Sequence, residues 1–234
     1  MLLGHLLLSE GPRAHAAAFW FQRERIEVEA ASVFADLAEQ LEGSVSRASS
    51  DASSDELRHA DMCRELVEGL APGVHPPVAR ARRRILLAPH SLPPARRGLY
   101  GAVALGCVTE SLSVALLMEI QGRATDGKVA ETAHAILKDE IRHSRFGWGA
   151  LARAHSGGDI SWLVPHLPAM IAGALAEETE TSSPSLAPSG SLEGYGILSP
   201  ARAREVCMSA LTDIVVPGFA HFGLELELAS LNLD

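Results

Sequence analysis

The chain has few cysteines, few aromatic residues and no excess of positive charge. Its three cysteines, Cys63, Cys107 and Cys207, are odd in number and lack zinc-ligand spacing, which argues against a disulfide framework and favours a reducing compartment. Aromatic residues make up only 5% of the chain while alanine and leucine are abundant, which favours helix over sheet. A net charge of −9 argues against general nucleic-acid binding, because neutralising phosphates requires a basic excess.

A membrane-spanning run is also missing from the predicted pattern. The apolar start, residues 1–8, has no basic residues and no small-residue cleavage site, so we do not expect a signal peptide. Prolines interrupt the longest apparent apolar run, residues 163–176, which falls short of the roughly 20 residues that span a bilayer. We expect a cytoplasmic protein without membrane association.

Hydrophobic periodicity predicts four long helices followed by two further helical segments. The predicted segments are residues 14–41, 44–69, 95–121, 128–154, 160–181 and 201–231, with Pro217 a kink or a break in the last. The Pro- and Arg-rich stretch 71–94 would be the one long crossover of a four-helix bundle. We therefore predict an all-α protein with a bundle over residues 14–155 and a C-terminal helical extension over residues 156–234 that packs on it.

Two features of this layout have two interpretations each. Six serines between residues 44 and 55 predict either a frayed helix start, which is the simpler interpretation, or a pliable wall beside a site. The arginine-rich crossover is either a solvated surface or a dock for an acidic partner, and runs from Arg80 through Arg82, Arg83 and Arg84 to Arg96 and Arg97.

The most informative motif is a repeated block, Asp-Glu-x-Arg-His, at residues 55–59 and 139–143. Each block puts a glutamate and a histidine three residues apart on one helix face, which is half of a metal site. The candidate ligands are Glu56, His59, Glu140 and His143. A four-helix carboxylate site also needs one glutamate from each of the two remaining helices.

Depth in an antiparallel hairpin selects those glutamates, because residues at equal depth lie equally far from the turn. The midpoint between Glu29 and the first Glu-x-x-His pair falls at the predicted turn, Gly43. The midpoint between Glu110 and the second pair falls in the second predicted turn, whereas Glu119 would place it inside the fourth helix. Glu29 and Glu110 are therefore predicted ligands.

Two other candidate ligand sites are excluded by the helix face on which they are expected to lie. Glu27 lies on a more polar stripe with Arg23 and is predicted to be a surface charge. Glu131 and His134 form a third Glu-x-x-His pair, but it is a half-turn out of phase with Glu140 and should face solvent.

The aspartates that open the blocks have an expected role as partners of the imidazoles. A ligating imidazole usually donates its second N–H to a carboxylate, so we expect Asp139 to orient His59 and Asp55 to orient His143, crosswise. The alternative is a surface salt bridge, such as Asp139 with Arg142. Oxygen-rich ligation with imidazole suits iron or manganese better than structural zinc.

With these residues, the stretch 19–154 resembles the ferritin-like di-iron carboxylate superfamily, and residues 29–33, 55–59 and 106–110 are similar to a group of bacterial ferritin-like proteins. The resemblance implies a ferritin-like fold, reaction with dioxygen, and two iron ions, with manganese or a mixed pair as alternatives. The implied ligands are Glu29, Glu56, His59, Glu110, Glu140 and His143.

The resulting expectation is a non-haem di-iron oxidase or oxygenase acting on a small organic substrate. Electrons would come from a separate donor, since no flavin or iron–sulfur motif is visible. The alternatives are an iron-handling ferroxidase and a non-enzymatic helical interaction protein. Gly106 and Gly147, each four residues from a ligand, either leave space for the substrate or mark close helix packing. The C-terminal segments would cover the bundle, close a cavity or form a homodimer interface.

Overall fold

The computed structural model describes residues 11–73, 88–89, 91–181, 192–228 and 231, and every regular element in these ranges is helical. The predicted all-α class is thereby confirmed. Of the arginines in the predicted dock, Arg80, Arg82, Arg83 and Arg84 lie outside the described residues. Arg96 lies over the ring of Trp162, at 4.9 Å from its centroid, and the Arg97 Nε donates to a main-chain carbonyl.

Four long helices carry the structure, and each predicted long helix is present with ends shifted by at most three residues. They are α1 (Pro12–Gln40), α2 (Gly43–Leu70), α3 (Pro94–Arg123) and α4 (Gly127–Gly157). A 3₁₀ turn then leads into α5 (Leu167–Thr181), and α6 (Pro200–Ala210) continues through a π-helical segment into α7 (Val216–His221). The last predicted segment therefore ends at His221 rather than at residue 231, and Pro217 is the second residue of α7, just beyond the π-helical segment.

The serine tract is the contact surface of the first hairpin. Ser46, Ser49 and Ser53 stand three or four residues apart and donate from their hydroxyls to main-chain carbonyls of α1, at 2.7, 2.7 and 2.8 Å. These small side chains let the two helices lie close together, and their hydrogen bonds satisfy the hydroxyls that this contact buries. The prediction of a frayed start is wrong, because α2 is helical from Gly43 onward.

The second hairpin is held by contact between two glycines. Gly106 of α3 faces Gly147 of α4 so closely that a Cβ placed on Gly147 would lie 2.6 Å from the Gly106 Cα. Of the two interpretations of this pair, close helix packing is therefore the one that the structure shows. The backbone atoms of the two helices fill the space beside these glycines, so it is not left open for a substrate.

A π-helical segment interrupts α3 directly before Glu110. Residues Val103–Thr109 take this wider turn, and the Thr109 hydroxyl donates to the carbonyl of Ala104, 3.1 Å away. The wider turn accommodates an extra residue, so the faces before and after it are out of the register of a regular helix. Regular α-helical periodicity, which the prediction assumed, cannot reveal such a segment.

The central helix α3 is long and apolar. It has the length and hydropathy of a membrane span, and 83% of its apolar window is buried inside the structure. Among the described residues, the helix with the length and hydropathy of a span is therefore α3 and not the run at residues 163–176. The burial is equally that of a core helix, so these criteria alone do not mark α3 as a membrane segment.

The C-terminal helices pack against the four long ones. Side chains of α5 and α6 belong to the same hydrophobic core as those of α1 to α4, and the Trp20 indole N–H of α1 donates to the carbonyl of Tyr195 at 3.0 Å. The boundary predicted at residue 155 stays a prediction.

Gly147→Ala should destabilise the protein by about 1–3 kcal/mol, because the added methyl group must push α3 and α4 apart. The matched control is Gly149→Ala in the same helix, where a Cβ meets nothing within 4 Å. That change should be neutral or stabilising by up to about 1 kcal/mol, from helix propensity alone. Denaturant unfolding of both variants makes the comparison, and equal effects would contradict the close contact.

Candidate metal centre

The four long helices bring carboxylates and imidazoles together in two overlapping groups. One group is Glu27, Glu56, His59 and Glu140, and the other is Glu56, Glu110, Glu140 and His143. The donor atoms of each group lie within 4.8 Å of one another, and every member is buried. Such a cluster could hold metal ions, with Glu56 and Glu140 common to both groups.

Five of the six predicted ligands are in this cluster, and the sixth is corrected by the structure. Glu27 takes the place predicted for Glu29: its side chain is only 2% exposed, whereas Glu29 is half-buried and belongs to neither group. The prediction followed the stripe through Ile26 and Val33, but Val33 is only partly buried.

A sequence signal for Glu27 was present and was missed. The residues seven before and seven after Glu27 are Trp20 and Phe34, both fully buried. The corresponding neighbours of Glu29 are Gln22 and Asp36, both polar. Two turns of helix return almost to the same face, so the large aromatic side chains mark the buried stripe.

In each of the two histidines, one ring nitrogen faces the carboxylate cluster and the other faces away from it. His59 Nδ1 lies 3.2 Å from Glu56 Oε2, and His143 Nδ1 lies 3.0 Å from Glu140 Oε2. Both Nδ1 atoms thus face the carboxylates, which makes Nδ1 the candidate ligating atom of each ring. The Nε2 atoms face away from the cluster.

The Nε2 atoms meet the predicted aspartates crosswise. His59 Nε2 lies 3.2 Å from Asp139 Oδ2, and His143 Nε2 lies 3.4 Å from Asp55 Oδ2. A proton on Nε2 that is donated to the carboxylate leaves Nδ1 free of hydrogen and able to bind a metal. The predicted contacts are therefore present.

Two arginines complete this arrangement at the protein surface. Arg142 lies 2.7 Å from Asp55 and 2.8 Å from Asp139, so the salt bridge considered as the alternative exists as well. Arg58 contacts the same two aspartates. Each aspartate is therefore held from two sides, by an imidazole on its inner side and by guanidinium groups on its outer side.

A third arginine lies inside the cluster, although the sequence placed it on a polar stripe. Arg23 Nε donates to Glu27 Oε1, and its Nη2 lies 2.9 Å from Ser113 Oγ and 3.6 Å from Glu140 Oε1. Its side chain is only 11% exposed. A buried guanidinium is stable where carboxylates and hydroxyls surround it and accept its hydrogen bonds, and the three groups that Arg23 contacts lie on three different helices.

The protonation states follow from burial and from these contacts. Burial raises the pKa of Glu27 to about 8 despite the Arg23 charge. Burial disfavours the imidazolium forms, but neighbouring carboxylates outweigh it and raise the pKa of His59 to about 9 and that of His143 to about 11. The same imidazoles hold the pKa of Glu56 well below its usual range, although burial opposes this. Protons thus compete for the positions a metal would need.

The acids that the sequence set aside lie away from the cluster. Glu119 pairs with Arg123 and Arg202, which together hold its pKa at about 2. Glu131 and His134 are both exposed. The phase and depth arguments against these three residues are confirmed.

The cysteines are buried free thiols. Burial raises the pKa of Cys63 and of Cys107 well above the ordinary thiol value. They are therefore neutral at physiological pH, as expected of small core residues.

The donor set of each group could hold a metal ion. Each group supplies three carboxylates and one imidazole, a mixture that suits iron or manganese. Glu56 Oε1 is fully buried and makes no hydrogen bond of good geometry, although His143 Nδ1 lies 2.9 Å away. A buried carboxylate oxygen without a hydrogen bond has a lone pair available to bind a metal ion.

Stability without metal should fall as pH rises above 4.5, because Glu27, His59 and His143 all bind protons more tightly in the folded chain than in the unfolded one. The Glu27 contribution is lost between pH 4.5 and about 8, and those of His59 and His143 from pH 6.5 to about 9 and about 11. Metal displaces these protons, so the rise in melting temperature caused by Mn²⁺ should grow over the same range. Thermal melts with and without Mn²⁺ test this. His134→Ala should keep the pH-dependent gain and His143→Ala should lose it.

Asp139→Asn should lower Mn²⁺ affinity by about 10- to 100-fold, since the neutral amide holds the His59 tautomer less firmly. Asp51→Asn is the control, because Asp51 is an exposed acid of α2. Calorimetric titration measures both. Equal affinities in the two variants would show that the contact with His59 has no part in metal binding.

No protein-family model matches the chain, and comparison with curated proteins gives no significant match. These two comparisons therefore do not assign a function, and the function has to be inferred from the cluster of carboxylates and imidazoles.

Proposed function

We propose that this protein is a ferritin-like, non-haem di-iron oxidase or oxygenase. One observation carries the proposal: two sets of three carboxylates and one imidazole overlap through the shared residues Glu56 and Glu140. Two sets that share ligands would hold two ions close together, and such a pair of redox-active ions supplies electrons to dioxygen.

The chain's own residues would prepare the site for this chemistry. Asp55 and Asp139 fix the two imidazoles so that both Nδ1 atoms face the carboxylates. The ligands are nearly inaccessible to solvent, which excludes bulk water from reactive species. Electrons would come from a separate donor protein, since the sequence has no flavin or iron–sulfur motif. The free cysteines fit a cytoplasmic location, which we also propose.

A second candidate function is iron handling by a ferroxidase, in which the metal ion itself is the substrate. The contact between Gly106 and Gly147 favours it, because backbone atoms fill the place beside Glu110 where an organic molecule could lie. Two surface cavities, of about 420 and 400 Å³, are lined by residues other than the ligands. Size measurement separates the candidates: a storage protein should assemble into a large shell, and a homodimer would exclude storage.

Wild-type protein loaded anaerobically with Fe²⁺ should bind two ions per chain and consume dioxygen in a single turnover. Glu140→Gln and His143→Ala should each lose iron and slow oxygen consumption by more than about 100-fold, because losing a ligand costs more than losing its orienting partner. Glu131→Gln and His134→Ala, in the exposed Glu-x-x-His pair of the same helix, should behave as wild type. Full iron content and full oxygen consumption in Glu140→Gln would exclude the proposal.

A second comparison tests the correction in α1. Glu27→Gln should impair iron binding, whereas Glu29→Gln should leave it near the wild-type level. The reverse result would restore the sequence-based assignment.

A further inference from the structure

The metal cluster is built from a repeat that is nearly symmetric. Each hairpin supplies one glutamate from its first helix and an Asp-Glu-x-Arg-His block from its second. The crossed contacts between aspartates and histidines repeat this symmetry in space. By ligand type alone, the two metal positions would be equivalent.

Arg23 breaks the symmetry. It lies one turn before Glu27, and the residue one turn before the corresponding Glu110 is Gly106, which has no side chain. The whole π-helical segment that precedes Glu110, Val103–Thr109, has no charged residue. The first hairpin thus brings a fixed positive charge to the cluster where the second brings uncharged backbone.

The guanidinium is held beside one metal position. Its Nε donates to Glu27, which belongs to only one of the two ligand groups, and its Nη2 lies 2.9 Å from Ser113 Oγ. The same Nη2 lies 3.6 Å from Oε1 of the shared ligand Glu140, and this oxygen is the one that lies 4.0 Å from His59 Nδ1. Glu178 of α5 is buried and close enough to help raise the Arg23 pKa. Because arginine stays protonated at all physiological pH values, its charge is a permanent part of this position.

We infer that Arg23 makes the two metal positions unequal, so that the position formed with Glu110 and His143 fills first and the position formed with Glu27 and His59 fills second. The inference rests on the proposed two-metal function. Coulomb repulsion between the guanidinium and a divalent ion falls with distance. It therefore weakens the nearer position more, by about 10- to 100-fold for a few ångströms of difference at an effective dielectric constant near 20.

Titration with Mn²⁺ alone tests the order of filling without any catalytic readout. Wild-type protein should bind two ions in two calorimetric steps. The electron paramagnetic resonance spectrum should show an isolated ion at one equivalent and a spin-coupled pair at two. Arg23→Gln should raise the weaker affinity by about 10- to 100-fold so that the steps merge, whereas Arg23→Lys, which keeps the charge, should preserve two steps.

The symmetric pair of glutamates identifies which position is which. Glu110→Gln should remove the tight step, and Glu27→Gln should remove the weak one. This pair carries the test if Arg23→Gln fails to fold, as judged by circular dichroism. Glu178→Gln should widen the gap between the steps, because it removes a charge that offsets Arg23.

The outcomes separate this inference from the proposed function. A single step in wild type, two unchanged steps in Arg23→Gln, or loss of the tight step in Glu27→Gln would overturn the unequal filling while leaving a two-metal site in place. Failure of wild type to bind two Mn²⁺ ions would overturn both.

Discussion

Burying four carboxylates at the centre of a helical protein is the constraint on which the other features of this structure depend. Such charges are unstable in a low-dielectric interior unless cations or protons neutralise them. Here the compensating groups are two imidazolium rings, the guanidinium of Arg23 and the proton retained by Glu27. The ring of aspartates and arginines at the surface then balances itself, so it adds orientation without adding net charge to the interior.

The cluster also requires that helices approach closely, because short carboxylate side chains must meet between them. Serine hydroxyls bring α2 against carbonyls of α1, and the pair Gly106 and Gly147 brings α3 against α4. Both devices use small residues where larger ones would separate the helices. These contacts lie within two or three turns of the ligands, so helix spacing and ligand geometry are set by the same packing.

Local spacing made much of this predictable from sequence. The paired blocks and the out-of-phase pair Glu131 and His134 depend only on residues within a few turns of one helix. The crossed aspartate contacts follow from the repetition of the block on a second helix. Glu27 was missed because the prediction followed the aliphatic residues of α1, of which Val33 is only partly buried, and gave no weight to the buried Trp20 and Phe34. The serine contact and the π-helical segment were missed because both depend on a partner helix or on a departure from regular periodicity.

The π-helical segment and the buried Arg23 lie at corresponding places in the two hairpins. One turn before its lone glutamate, α1 carries Arg23 and α3 carries the wide π-helical turn with Gly106. Backbone contact at Gly106 leaves no room for a side chain as long as arginine, so the tight packing of the second hairpin itself prevents a symmetric charge. Glu56 and Glu140 belong to both ligand groups. The positive charge of Arg23 therefore lies beside ligands that the two metal positions would share. The two hairpins thus carry the same types of ligand, but they differ one turn before the lone glutamate, where the first has the charged Arg23 and the second has Gly106.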